Sequence, residues 1–366
     1  MNNYKIVISY LNFELRIMVF SMYDNNPEII YEEKIYKGEI TSISNDVDLD
    51  EIKKRLLKSY NEIEQNLKIT KKNINLILDT TKNYISSQNI ILNYESKHTI
   101  DLEDYKKIKE LAFSKTIAKE NLIYVDYFIE GYKIDDSSIN FPLGEVVHKK
   151  LEVMGDLVYV DKKLYETLEN IIKINDYRII NTTLSDICLK KNIDLIDNSG
   201  LIEIGSKNTK FIIKKNNTLK TFYTNIGLTN FFNNVYDILL EKYENKEEIE
   251  KAVRFLMQHF VFNPYENDYL VTENIYLNEL VTIFQNVIIN YFEYFDKELT
   301  KTNLNVNSFY ILLNVFKSNE FIKLLQEKTN INCEMLIIND YRNLDVTEMK
   351  AALFIKMLYQ YDRWEL

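Results

Sequence analysis

LIEIGSKNTKFIIKKNNTLKTFYTNIGLTNFFNNVYDIL, residues 201–239, compresses three short strands, two turns and the start of a helix into one stretch. Leu201 to Ile204 reads as a strand, Gly205-Ser206-Lys207-Asn208 as a turn, and Phe211 to Lys214 and Leu219 to Thr224 as the next two strands. Gly227 then punctuates the chain and a long helical pattern follows. The same order opens the molecule. Ile6, Ile8 and Tyr10 alternate, then Leu15, Ile17 and Val19, and a third strand spans Ile29 to Tyr36. Asp48 and Asp50 lead into Ile52, Leu56, Tyr60, Ile63 and Leu67, an amphipathic helix with acids at the positive end of its dipole. Ile74 to Asp79 reads as a buried strand. Strands, a helix and a strand form an α/β layered pattern, and its opening hairpin and turn occur twice.

Between the two units lies a segment with its own rhythm. It contains a helix from Asp101 to Ala112, strands at Asn121 to Ile129 and Val153 to Val160, and a loop with Pro142 and Gly144. A helix from Lys162 to Ile174 closes it, with Leu164, Leu168, Ile171 and Ile172 on one side. Beyond Gly227, helices dominate to about residue 302 with a break near Pro264. A strand (Phe309 to Leu313), a helix (Ser318 to Glu327), a strand (Glu334 to Ile338) and a helix from Asp345 end the chain. In that helix Val346, Met349, Leu353, Met357 and Tyr361 share a face.

The 366 residues are 46% hydrophobic and 27% charged, enough apolar material for a sizeable core. A net charge of −10 disfavours nucleic acid and acidic lipid as partners. Cys188 and Cys333 are far apart and form no C-x-x-C motif, which excludes a disulfide framework and suits a reducing cytosol. His98, His148 and His259 are too scattered in sequence to suggest a metal cluster. No stretch approaches the roughly 18 apolar residues of a membrane span, so a cytoplasmic protein is expected. Only seven glycines and three prolines occur, as expected of an AT-rich coding bias. Each surviving glycine therefore points to a backbone need such as close approach or positive φ.

Three segments resemble one family. YFIEGYKIDDSSINFPLGEVVHKKLEVMGDLVYVDKKLYETLENIIK (Tyr127 to Lys173) is similar to the inserted domain of the actin-like cell-division protein FtsA, with Pro142-Leu143-Gly144 as the turn and Leu151-Glu152-Val153 as the strand step. YKGEITSISNDVDLDEIKKRLLKSYNEIEQNL (Tyr36 to Leu67) resembles the family's strand leading into its first long helix, and residues 201–239 resemble its second phosphate segment. The resemblance runs through the whole chain in order. It implies a two-lobed actin/sugar-kinase α/β fold with a small α/β domain inserted in the first lobe. Residues 1–83, 176–198 and 339–366 would form the first-lobe core and 84–175 the insertion. Residues 199–228 and 304–338 would form the second-lobe core, and 229–303 its helical subdomain.

The resemblance also implies a nucleotide site, and here the residues depart from it. Such sites set two glycine-bearing hairpins around the phosphates, with nearby carboxylates holding the metal through water. Where the family has D-x-G-T, this chain has Ser9, Tyr10, Leu11 and Asn12. A leucine there would obstruct phosphate, and would cost about 1–2 kcal/mol if the position is left-handed. The second hairpin keeps Glu203, Ile204 and Gly205, then has Ser206 and Lys207 for glycines and Lys210 for an acid. The adenosine-side segment reads Leu313-Asn314-Val315-Phe316, without glycine. The expectation is a pseudo-ATPase with no catalytic residue and no metal site of its own. Weak ATP/Mg binding through Asn12, Glu203, Gly205, Ser206, Lys207, Asn208 and Gly227 stays open.

Each candidate has a plainer reading. Gly205 and Gly227 serve equally as turn residues, Glu203 as an exposed carboxylate, and His148 as a solvated histidine. Asp135-Asp136 reads as turn chemistry, Glu244 to Glu250 as a solvated helix face, and Tyr291 to Phe295 as core filling. Near the C-terminus Lys350, Lys356 and Arg363 are offset by Glu348, Asp362 and Glu365, so the last helix offers no basic face to lipid and is expected to pack on the core.

The expected function is a non-catalytic adaptor in cell division. The resemblance implies binding of the FtsZ C-terminal tail near residues 229–303, self-association into filaments, and membrane attachment only through a partner at the division site. The alternatives are a working actin-fold ATPase and a pilus-assembly actin-like protein.

Overall fold

The structure is a computed structural model, which describes residues 4–11, 13–23, 26–38, 40, 48–80, 82–192, 195, 198–205, 207–215, 218–259, 268–301, 306, 308–313, 319–328, 332–336 and 344–362. Its chain separates into two units, Met1–Ile193 with Thr347–Leu366, and Asp194–Val346.

The first unit opens with β1 (Lys5–Leu11), β2 (Glu14–Tyr23) and β3 (Asn26–Lys37), an antiparallel run rich in Ile and Val. Helix α1 (Leu49–Leu67) begins where the Asp48 side chain accepts the Asp50 and Glu51 N–H groups, and it buries Ile52, Leu56, Tyr60 and Ile63 at helical spacing. It leads to β4 (Asn73–Leu78), which lies parallel to β1.

The inserted segment follows: β5 (Asn83–Asn93), β6 (His98–Thr99), α2 (Leu102–Ser114), β7 (Leu122–Ile134), β8 (Ser137–Ile139), β9 (Val146–Val147), β10 (Lys150–Asp161) and α3 (Lys162–Ile172). Its main sheet has the order β5-β10-β7-β8, with β6 and β9 as a separate pair. It owns a core that includes Tyr127, Leu151, Val153 and Tyr159. The chain then returns to β11 (Arg178–Leu184), parallel to β4, and α4 (Ser185–Asn192). The resulting first sheet runs β11-β4-β1-β2-β3.

The second unit repeats the plan. Strands β12 (Ser199–Ile204), β13 (Thr209–Lys215) and β14 (Thr218–Thr224) form the antiparallel run. Helices α5 (Leu228–Lys242), α6 (Lys246–His259) and α7 (Leu277–Lys301) precede β15 (Ser308–Leu313), parallel to β12. Helix α8 (Asn319–Lys328) and β16 (Cys333–Met335) complete it, and the sheet order is β14-β13-β12-β15-β16. Read outward from the first strand of each unit, both sheets are 3-2-1-4-5, with strands 1–3 antiparallel and 1, 4 and 5 parallel. Phe231, Phe284, Phe292 and Phe295 fill the core under the second sheet, so the Tyr291–Phe295 run fills the interior at Phe292 and Phe295.

Helix α9 (Val346–Asp362) ends the described chain, and nearly all of it belongs to the first unit. One apolar face was expected; instead Ala351, Ala352, Leu353, Phe354 and Ile355 are all buried, so the helix is covered on every side along this turn. Strands β5, β6, β8, β9 and β11 and helix α4 are additions to the sequence reading. The expected break near Pro264 and the Asn314 segment lie outside the described residues, and the expected strand at 334–338 is described only as Cys333–Met335. Among the described residues, no helix is long and apolar enough to cross a membrane.

Candidate functional site

In open α/β sheets, ligands bind beyond the carboxyl ends of the parallel strands. In the first unit these ends bring together Leu11 of β1, Asp79 just after β4, and Ser185 just after β11. Ser9 is fully buried between Arg16 of β2 and Ile77 of β4, and its hydroxyl has no hydrogen-bond partner among the described residues. Leu11 is 2% exposed and continues β1 to its last pairing, Leu11 with Glu14. The left-handed strain expected at Leu11 is therefore absent. Leu11 is not among the described residues with positive φ, whereas Phe13 is, at φ 61°. Asn12 lies outside the described residues.

Tyr10 fastens this corner: its hydroxyl donates to the Gly38 carbonyl at 3.1 Å and accepts the Ile40 N–H at 3.1 Å. The Asp79 N–H donates to the Tyr10 carbonyl at 3.0 Å. The Asp79 carboxylate accepts the Ser185 hydroxyl and faces the Lys350 ammonium of α9 at 3.5 Å. Lys350 is 1% exposed, so this acid is answered by a buried cation from the chain itself.

In the second unit, Glu203 of β12 and Lys210 of β13 are direct cross-strand partners, with Nζ 3.3 Å from Oε2. Reading Glu203 as an exposed carboxylate is corrected here: it is 3% exposed, because the strand end is covered and the lysine supplies the countercharge. Lys210 also stands over the Tyr223 ring at 5.9 Å. The turn between them is closed by its own backbone, with the Gly205 N–H donating to the Asn208 carbonyl at 2.9 Å. Lys207 is exposed and Asn208 half-buried, while Ser206 lies outside the described residues.

Gly227 explains itself by proximity. A Cβ there would meet Asn208 N at 2.6 Å, Gly205 O at 2.7 Å and Lys207 C at 2.7 Å, all backbone. The start of α5 rests directly on the hairpin turn, and the Leu228 N–H donates to the Gly205 carbonyl at 3.0 Å. The Gly227 N–H is taken by Asn230 Oδ1 at 2.9 Å. Amides that an anion would use at a helix N-terminus are thus partly spent on the turn and the cap.

A metal-bound triphosphate needs open glycine backbone and an available carboxylate. The described residues of neither unit fit it: in the first, Leu11 fills the hairpin with a buried side chain and Asp79 faces a buried lysine, and in the second, Glu203 is held against a buried lysine.

Sequence spacing missed a third group. His98 Nε2 lies 2.7 Å from Asp104 Oδ2, and Asp101 is close by, with one ligand atom of each within 4.8 Å of the others. The signal was the His98-x-x-Asp101-x-x-Asp104 spacing ahead of a helix. Both carboxylates already cap α2: Asp101 accepts the Glu103 and Asp104 N–H groups, and Asp104 accepts the Asp101 N–H. Burial pushes the Asp104 carboxyl up, but the Asp101 N–H and His98 outweigh it and the net shift is downward. Likewise Asp135 accepts the backbone N–H groups of His148, Lys149 and Lys150, so the Asp135 and His148 region is turn chemistry. The first unit also holds a cavity of about 380 Å³, lined by Tyr4, Lys5, Asn75, Tyr105, Lys109 and Leu358 among others.

No protein-family model matches this chain, and no curated protein does. Solved structures do. The PilM–PilN type IV pilus biogenesis complex is 10% identical and covers 97% of this chain and 98% of its own, at a TM-score of 0.52. The fold is actin-like. Ethanolamine utilization protein EutJ from Carboxydothermus hydrogenoformans is 9% identical over 97% of this chain and 90% of its own, at a TM-score of 0.47. A non-polymerising mutant of MamK bound to AMPPNP is 9% identical over 97% and 99%, at 0.41. At this identity the likeness concerns the fold alone, not an activity.

Proposed function

We propose that this chain is an actin-like adaptor that docks partner proteins and does not turn over nucleotide. The observation that supports this reading is the Glu203–Lys210 pair, which occupies the position of a metal-holding acid with a self-neutralised, buried ion pair. Leu11 supports it from the other unit, since a buried leucine stands where phosphate needs bare backbone. Titrating the full chain with a labelled ATP analogue and magnesium should give neither turnover nor saturable binding at micromolar concentration. Micromolar affinity with turnover overturns the proposal.

In its first form the adaptor is FtsA-like: a cytoplasmic protein at the division site that holds the FtsZ tail on the helices of residues 229–303 and reaches the membrane through a partner. The resemblance of the inserted segment and of residues 201–239 to FtsA supports this form. Similarity to the PilM–PilN complex over nearly both whole chains favours a second form, an adaptor in pilus assembly. Binding of the FtsZ tail peptide by the full chain supports the first form, and capture of PilN from the same genome supports the second. Retention of neither argues against the adaptor reading.

A further inference from the structure

We propose that the open edge of β5 pairs antiparallel with β5 of a second copy of this chain, joining two inserted sheets into one. The inference stands apart from the adaptor reading, because it rests only on the inserted segment.

An edge strand exposes a row of backbone donors and acceptors, and native edges are blunted with charge, proline, bulges or shortness. Other edges among the described residues are blunted in these ways. β3 carries Pro27 with Glu28, Glu32, Glu33 and Lys34, and its pairing with β2 is bulged. β11 starts at Arg178, β8 has three residues, and β6 and β9 have two each. β5 is different. Its eleven residues, NYISSQNIILN, contain no charge and no proline. It pairs with β10 in unbroken register from Asn83–Val160 to Asn93–Lys150, and with no other strand among the described residues.

The ladder fixes which groups face outward. The Tyr94 N–H donates to the Lys149 carbonyl at 2.8 Å, continuing the β5–β10 register. Backbone groups of even-numbered β5 residues therefore point at β10, and those of Ile85, Ser87, Asn89 and Ile91 point to the open edge. A two-fold axis at Gln88 sets Ile85 opposite Ile91 and Ser87 opposite Asn89 on one face. On the other face it sets Tyr84 opposite Leu92 and Ser86 opposite Ile90. Ile91, 47% exposed, gains an apolar cross-strand partner, and no like charges meet. The strand is thus complementary to itself, which is what commits the edge to a second copy. One device guards it: Lys115 Nζ donates to the Asn89 carbonyl at 2.6 Å and must swing away for pairing.

Sedimentation velocity of the full chain across a concentration series tests this. We expect a reversible dimer, weakened about tenfold or more by Ile91→Lys and tightened by Lys115→Ala. Ile91 is half exposed and its amide faces away from β10, so I91K should keep the wild-type circular dichroism; hydrogen exchange at Ile85, Ser87 and Ile91 should slow on dimerisation. A chain that stays monomeric even as Lys115→Ala, a dimer indifferent to Ile91→Lys, or an edge whose amides exchange equally fast in monomer and dimer overturns the proposal.

Discussion

Gly227 touches three backbone atoms of the 205–208 turn at distances where a methyl group has no room, and its φ of −139° is one any residue adopts. The glycine is required by contact and not by conformation. Gly227→Ala should lower the stability of the second unit by about 1–3 kcal/mol through overpacking, read from denaturant midpoints. The Glu203–Lys210 pair carries a sharper test of whether this acid is structural. Removing one partner of a buried ion pair leaves an unpaired buried charge, at a cost of about 3–5 kcal/mol. Lys210→Met should therefore be strongly destabilising, while Glu203→Leu with Lys210→Met should recover most of the loss. If the two single changes simply add, the pair is not coupled and the acid is open to another role. Neither residue's burial was legible beforehand. A charge in a short hairpin reads as solvated, and only the cross-strand register between β12 and β13 sets the acid against the lysine.

At the scale of elements, the strongly periodic pieces were legible: α1 and the opening hairpins declared themselves by apolar spacing and an acidic helix start. β5 was not, because Ile85 and Ile91 share one face with serine and asparagine while Ile90 and Leu92 share the other. Both faces mix apolar and polar side chains and no period of two emerges. Helix α6 looked like a solvated charge run, yet its Glu248 is buried and fastens the segment before α7. The Asn274 side-chain amide donates to Glu248 at 3.0 Å and the Thr272 hydroxyl at 2.8 Å, joined by the Asn274 N–H. These donors hold its carboxyl below the ordinary glutamate value of 4.5. The folded state thus favours the ionised form, so the contribution is present above the ordinary value and lost as pH falls through the lowered one. Glu248→Gln should be less stable than wild type at pH 7, with the gap closing below about pH 4.5. A gap that stays constant down to pH 3 would show that ionisation is irrelevant there.

The whole molecule is one plan used twice, and that duplication was readable from residues 201–239 set beside the N-terminal hairpin. The sequence placed the chain's last helix with its first unit, packed on the core, but not the residue that it meets there. Lys350 read only as one of a balanced set of charges on that helix, but it is buried against Asp79, 271 positions away in sequence. Such a contact has no local signature, since neither periodicity nor charge spacing reports a partner that distant. Around it Leu353, Phe354, Ile355, Met357 and Leu358 are buried, each stabilising by about 1.5–3 kcal/mol if taken from water. Together that is comparable with the net stability of about 5–15 kcal/mol of a whole domain. The first unit is therefore closed only after the second has been synthesised. Deleting residues 346–366 should abolish slow hydrogen exchange in β1 and β4 while β12, β13 and β15 keep theirs, because the second unit has its own aromatic core. Equal loss of protection in both units would mean that they fold as a single cooperative body, and intact protection in β1 and β4 would mean that α9 is dispensable to the first sheet.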